Sequence, residues 1–289
     1  MISEIAWSPD GQLLASAAGR GTIWIWDTRT GEAITKIKGH SGWIESIAWS
    51  PDGRSLASAA QDHSIQIWSV ESGKRIRTLQ GHSGPVRAVD WLPDGRIVSG
   101  SKDSTVRIWD AGSGQVFKIL EAHTAEVTFL SSSPDGSRLL STAKDDHLLI
   151  WEDPFSNAHP VRTVWTTNGL LGATWSRDGQ SIIFWHRDKT IHILNLNTHR
   201  ERTLEGHTDT ILSIQFSPDG TLLCSAEKGL VHIWNSRTWD IVASIRYFEQ
   251  DWTRAAFNLS APLLAVLGQR QASIDLQNLS GDISRLFSD

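Results

Sequence analysis

Cysteine is nearly absent from this chain of 289 residues. Cys224 stands alone, which excludes an internal disulfide and any cysteine-built zinc or iron–sulfur centre. Methionine and tyrosine occur once each. No apolar run approaches the roughly 20 residues that a helix needs to cross a bilayer. The opening Met1-Ile2-Ser3-Glu4 lacks the basic start and apolar stretch of a secretory signal. Net positive charge is missing as well: 27 Lys and Arg against 32 Asp and Glu leave a formal charge of -5, which disfavours bulk attraction to nucleic acid. The residue in excess is tryptophan, with 15 copies in a chain that is 39% hydrophobic and 20% charged. That balance fits a globular protein, and a chain this long can bury about three-quarters of its unfolded surface.

The tryptophans fall into place when the sequence is laid against itself. Pro-Asp-Gly begins at Pro9, Pro51, Pro93, Pro134 and Pro218, with the variant Arg177-Asp178-Gly179 between the last two. Successive copies are 41 to 43 residues apart, so the chain holds about seven units and has no room for a second domain. The next step lands near Leu259, where the apolar pattern persists and the turn residues do not.

Each unit reads as short strands. In the second, Ile44–Trp49 leads into Ser50-Pro51-Asp52-Gly53, where proline presets one turn angle and glycine accepts positive φ. Ser55–Ala60 follows, then a turn at Gln61–Ser64. Ile65-Gln66-Ile67-Trp68 alternates apolar and polar residues as a half-buried strand does. Lys74–Leu79 gives a fourth, more polar strand, as suits a solvated sheet edge. The expectation is a four-stranded antiparallel meander per unit.

Three further signals recur in register. Gly-His stands at Gly39-His40, Gly81-His82 and Gly206-His207, with Ala122-His123 as a near match. Trp-Asp stands at Trp26-Asp27 and Trp109-Asp110, and the same place reads Trp68-Ser69, Trp151-Glu152 and Trp234-Asn235 in other units. In four units the histidine precedes the turn tetrapeptide by 10 residues. This pattern resembles the WD40 repeat over the whole chain. The resemblance implies an all-β fold, a seven-bladed β-propeller with blades at about 1–37, 43–79, 85–120, 127–164, 169–204, 210–245 and 252–287. The near-identical middle units are similar in style to bacterial members.

WD40 blades often hold a buried His, Ser or Thr, Asp and Trp set. Carried onto this sequence, the resemblance gives His40, Ser58, Asp62 and Trp68; His82, Ser99, Asp103 and Trp109; and His123, Ser141, Asp145 and Trp151. Such groups are costly to bury singly and satisfied together. The first unit has Arg20 in place of Asp. The fifth has Thr166, Phe184 and Leu194 around Asp188. The sixth is one residue short near Lys228-Gly229, and the seventh has Phe248, Val266, Arg270 and Leu276. Blades five and seven and the joint between seven and one are therefore expected to be the least stable. The chain is also expected to run from an innermost strand at Ile2–Trp7 to an outermost one at Ile283–Phe287, so that every blade is contiguous.

Catalytic signatures are not found. His/Asp/Ser sets that recur in register point to structure, since an enzyme needs one. No phosphate-binding loop, EF-hand or His-Glu-x-x-His motif is present. No metal site or cofactor is expected. His186 and His192 read as exposed, and Cys224 reads as packing.

In WD40 relatives, partner contacts often come from three positions per blade on one face. Here they read Trp43, Glu45 and Gln61; Pro85, Arg87 and Lys102; Glu126, Thr128 and Lys144; Gly169, Leu171 and Arg187; Thr210, Leu212 and about Glu227; and Asp251, Thr253 and Gln269. Trp43 would be an exposed aromatic anchor, and Arg87, Lys102, Lys144 and Arg187 would form a positive patch. The resemblance thus implies a non-enzymatic scaffold or sensor that binds a protein or peptide on this face. A cytoplasmic location and no membrane are expected, and the oligomeric state is left open with a monomer favoured. The alternative is a nucleic acid or other acidic ligand on the basic blades.

Overall fold

In six units the first strand runs into a hydrogen-bonded turn. A computed structural model describes residues 2–18, 20–156, 162–165, 169–217, 220–246, 252–257, 263–268 and 274–278. In the first turn Ser8 Oγ donates to Asp10 Oδ1 at 2.6 Å and accepts from the Leu13 amide at 2.9 Å. Gly11, at φ 68°, donates its amide to Ser8 O at 2.8 Å. Ser50 with Asp52, Ser133 with Asp135, and Ser176 with Asp178 repeat the side-chain contact. Leu92 replaces the serine in the third unit. There the Gly95 amide still reaches Leu92 O at 3.0 Å and Asp94 Oδ1 still accepts the Arg96 amide at 3.0 Å, while the serine's contacts are gone.

The strands these turns join are all antiparallel. The first sheet contains β1 (Ile2–Trp7), β2 (Leu13–Ala18), β3 (Arg20–Asp27) and the start of β4 (Ala33–Trp49). The second contains the end of β4, β5 (Ser55–Ala60), β6 (Ile65–Ser69) and β7 (Arg75–Leu79). Next come β8 (Val86–Trp91), β9 (Arg96–Ser101), β10 (Thr105–Asp110) and β11 (Val116–Glu121), then β12 (Val127–Ser132), β13 (Arg138–Ala143), β14 (His147–Glu152) and β15 (Arg162–Trp165). The fifth sheet is β16 (Leu170–Trp175), β17 (Ser181–His186), β18 (Ile191–Asn195) and β19 (Glu201–Leu204). The sixth is β20 (Ser213–Phe216), β21 (Leu222–Glu227), β22 (Leu230–Asn235) and β23 (Ile241–Arg246). The seventh is described through β24 (Trp252–Phe257), β25 (Leu263–Gly268) and β26 (Ile274–Asn278).

One connection differs from the expected loop. β4 is 17 residues long, and its Gly39–Gly42 stretch stays extended. Trp43 pairs with Arg20 of β3, so the first two units merge into one seven-stranded sheet. Residues 33–38 serve the first unit, and Ile44–Trp49 pairs with β5 as the innermost strand of the second.

The core lies between neighbouring sheets. Ile23 and Ile37 pack with Ile44 and Leu56; Ala57 and Ile65 with Val86 and Val89; and Val98 and Val106 with Val127 and Leu139. Leu148 and Ile150 meet Ala173 and Ile182, and Ile183 and Ile191 meet Ile211 and Leu223. The second strands of the first six units are sandwiched, which explains small residues there: Ala15, Ala17, Ala57 and Ala59 are all 0% exposed. Indoles stitch inner strands across the gap, with Trp49 Nε1 donating to Ala6 O at 2.9 Å and Trp175 Nε1 to Ser131 O at 3.2 Å. β24 lies against β1, which brings the seventh sheet round to the first.

Thr166, Phe248, Asp251, Gln269, Arg270 and the expected strand Ile283–Phe287 lie outside the described residues. Thr253, Val266 and Leu276 are placed on β24, β25 and β26 by backbone alone.

Candidate functional site

In four blades the entering loop is pinned by a directed chain of hydrogen bonds. In the second blade Trp68 Nε1 donates to Ser58 Oγ at 2.8 Å. Ser58 Oγ lies 2.7 Å from His40 Nε2, and His40 Nδ1 lies 2.9 Å from Asp62 Oδ2. Since the indole can only donate and an ionised carboxylate can only accept, one assignment satisfies every group: serine donates to Nε2, and Nδ1–H donates to the aspartate. Asp62 also accepts the Ser41 amide at 3.0 Å, which fixes the residue after the histidine.

The third and fourth blades repeat this geometry. Trp109, Ser99, His82 and Asp103 connect at 2.8 Å in every step. Trp151, Ser141, His123 and Asp145 connect at 2.8, 2.7 and 3.1 Å. Burial lowers the His82 and His123 pKa values, against the opposing pull of their aspartates. Burial raises Asp103, but hydrogen bonds from Thr105 and His82 outweigh it and hold the carboxyl at about 2. The first blade retains only the end of the chain, Trp26 Nε1 to Ser16 Oγ at 2.9 Å.

The sixth blade corrects one expectation. The sequence places a partner-face contact at about Glu227, yet Glu227 is 3% exposed and its Oε2 lies 2.9 Å from His207 Nδ1. The chain continues through Ser225 to Trp234 at 2.6 and 2.7 Å. Glu227 pairs with Leu230 across a two-residue turn, Lys228-Gly229, with Gly229 at φ 77°. The short hairpin removes the usual aspartate position, and the longer glutamate reaches the histidine from two residues earlier. The missing residue was legible; the glutamate's compensating length was the signal overlooked.

The fifth blade corrects another. His186, expected to be exposed, is 5% exposed, and His192 is half-buried. Phe184 fills the serine place and stacks flat on His192 at 5.2 Å between centroids, with 13° between planes. Burial and the neighbouring His192 push the His186 pKa down, so its ring is neutral near pH 7.

None of these sets offers a reachable nucleophile. Ser58, Ser99, Ser141 and Ser225 are each 0% exposed. Burial pushes the Cys224 thiol up to about 12, which leaves it protonated and inert near neutrality.

The backbone brings the first and third face positions together in the second to fifth units. The amides of Gln61, Lys102, Lys144 and Arg187 donate to the carbonyls of Trp43, Pro85, Glu126 and Gly169 at 2.9, 2.8, 2.9 and 3.1 Å. Side chains then join three blades. Gln61 Nε2 donates to Glu45 Oε1 at 2.6 Å, and Arg87 Nη1 donates to the same oxygen at 2.6 Å. Arg87 Nε donates to Glu126, whose other oxygen is 2.6 Å from Lys144 Nζ. Glu126 is only 9% exposed, and burial alone would raise its pKa. Lys144 and Arg87 outweigh that and keep it ionised.

The expected four-cation patch is therefore half neutralised. Arg87 and Lys144 are spent on Glu45 and Glu126, while Lys102 and Arg187 are exposed and form no ion pair among the described residues. Beside this polar belt Trp43 keeps 36% of its surface exposed. Thr128 bonds within its own blade, its Oγ1 lying 3.1 Å from Thr142 Oγ1.

A family profile described as the IFT122 first beta-propeller matches residues 59–285. The chain belongs to the WD40 β-propeller family. Two further profiles agree: the WD domain, G-beta repeat, at residues 31–69, and the anaphase-promoting complex subunit 4 WD40 domain at residues 1–44. A similar curated protein is a p21-activated protein kinase-interacting protein 1-like protein of Gallus gallus, 30% identical over 88 residues. That match covers 30% of this chain and 24% of the relative. The WD40 assignment accounts for the networks as blade architecture and leaves the face around Trp43 as the candidate for function.

Proposed function

We propose that this WD40 propeller is a non-catalytic interaction module that binds a protein or peptide on the face carrying Trp43, Glu45, Gln61, Lys102 and Arg187. The observation that carries the reading is Trp43. It is a large aromatic left 36% exposed beside a belt of charges already locked to one another. Aromatic anchors bordered by fixed polar groups are the usual energetic centre of a protein interface. A preformed belt loses little side-chain entropy when a partner docks. The name of the chicken relative, which describes a kinase interactor, supports the same class of role.

Nucleic acid is the weaker reading, because Lys102 and Arg187 belong to different blades and the cations between them are paired. The test is affinity capture with the whole chain, with Trp43→Ala plus Lys102→Glu, and with a control change at the opposite turns, Asp135→Ser. A protein partner retained after nuclease treatment, lost at least tenfold by the double variant and kept by the control, supports the reading. A partner held equally by all three chains overturns it, as does capture that disappears with nuclease.

A further inference from the structure

The fifth blade breaks the repeat in a way that assembles a different set of groups. In the second blade the positions two, four and eight residues after Ser58 are Ala60, Asp62 and Gln66. After Phe184, the same positions are His186, Asp188 and His192. The sheet registers confirm the match: Ile44 pairs with Ala60 and Leu170 with His186, while Ser58 pairs with Gln66 and Phe184 with His192. Two imidazoles thus replace an alanine and a glutamine beside an aspartate that the repeat already provides.

The ligand atoms of these three side chains lie within 4.8 Å of one another. His186 is 5% exposed, and neither ring nitrogen has a hydrogen-bond partner among the described residues. A buried imidazole without a partner is costly. Its ring faces His192, with centroids 4.7 Å apart. His192 Nδ1 lies 2.7 Å from Glu201 Oε1, so that carboxylate holds the proton on Nδ1 and leaves the Nε2 lone pair for a ligand. Nε2 lies 2.9 Å from Thr190 Oγ1, whose one proton is shared between this nitrogen and Asp188 Oδ1, so neither acceptor is fully served. Asp188 Oδ1 is anchored by the Thr190 amide at 3.1 Å and hydroxyl at 2.6 Å.

We propose that His186, His192 and Asp188, at the β17–β18 hairpin of the fifth blade, bind a divalent transition-metal ion of the zinc class. Two imidazoles and a carboxylate suit such an ion better than magnesium or calcium, which prefer oxygen ligands. Ligands of a tetrahedral zinc sit about 3.4 Å apart. Binding therefore requires the three side chains to draw together; His192 is half-buried and Asp188 exposed. Bound metal ties β17 to β18 where Phe184 and Leu194 have displaced the serine and tryptophan of the usual network.

The test uses the full chain, purified without a polyhistidine tag and stripped with chelator. Zn2+ is titrated calorimetrically, and Co2+ is followed by its visible absorption. His186→Ala and His192→Gln restore residues that the second blade itself carries, so both are suited to fold; circular dichroism checks this. The expected result is one saturable Zn2+ site, weakened at least tenfold by each variant, with an intense low-coordinate Co2+ spectrum for the parent chain. No saturable site in the parent, a weak octahedral-type Co2+ spectrum, or undiminished affinity in either variant overturns the proposal.

Discussion

Glu227 Oε2 stands 2.9 Å from His207 Nδ1, where Asp62, Asp103 and Asp145 stand in the second, third and fourth blades. It also accepts the amides of Thr208 and Asp209 at 2.8 and 2.9 Å. A carboxylate one methylene shorter cannot span this two-residue hairpin. Glu227→Asp is expected to destabilise the chain by about 1–3 kcal/mol, the cost of leaving buried donors unpaired. Urea denaturation of the two chains measures it. An unchanged midpoint would show that His207 does not depend on the glutamate.

Serine at the centre of each network has two partners. Removing Ser141 Oγ strands the Trp151 indole, 2.8 Å away, and His123 Nε2, 2.7 Å away. Ser141→Ala is expected to cost about 2–3 kcal/mol. Ser16→Ala strands only Trp26 Nε1 among the described residues, and is expected to cost roughly half as much. The same denaturation series gives the ratio.

Acid acts on these networks in two stages. Burial lowers His207 to about 4, more than its bond to Glu227 raises it, and His82 and His123 shift the same way. Protonation of these rings therefore favours the unfolded chain. Their contribution is complete above the unfolded value near 6.5 and falls as pH drops from there toward about 4. Asp103, held at about 2, and the lowered Asp145 and Glu227 add a second loss as pH falls below about 4. Melting temperature against pH should decline from pH 6.5 downward and steepen below pH 4. A flat curve between pH 7 and 4.5 would contradict the neutral-imidazole assignment.

Backbone strain recurs at fixed places. The residue after the network aspartate has positive φ in four successive blades: His63 at 67°, Ser104 at 69°, Asp146 at 59° and Lys189 at 74°. His63→Gly is expected to stabilise by up to about 1 kcal/mol. Conversely, Gly31 has φ 72° with open space around a built Cβ, so Gly31→Ala tests conformation alone and is expected to cost about 1 kcal/mol. Opposite signs in thermal melts bear this out; equal signs refute it.

Arg87 bridges Glu45 of the second blade and Glu126 of the fourth. Arg87→Met keeps much of the stem and removes the bridge. A loss of about 1–2 kcal/mol is expected, with Glu126 still paired to Lys144. A double-mutant cycle with Glu45→Gln isolates the coupling.

What the sequence revealed and what it concealed divide along physical lines. The Pro-Asp-Gly spacing and the Trp places report local turn chemistry and strand period, so the antiparallel all-β repeat was legible. The His40, His82 and His123 networks were legible through fixed offsets along neighbouring strands. Glu227 was not, because a shortened turn and a lengthened side chain compensate only in three dimensions. The neutralised patch was hidden for a related reason: Arg87 meets Glu45 and Glu126 across distances of 42 and 39 residues. His186 read as a surface residue because one imidazole in a hairpin carries no sign of what packs over it.

Hydrogen–deuterium exchange of the chain, with and without its captured partner, locates the surface on which that partner docks, proposed to surround Trp43. Protection is expected at 41–46, 61–64, 85–88 and 102–105, the segments that carry the exposed indole and the belt beside it. Protection confined to the outer strands, where Ile34, Ile76 and Phe117 are more than half exposed, would contradict it.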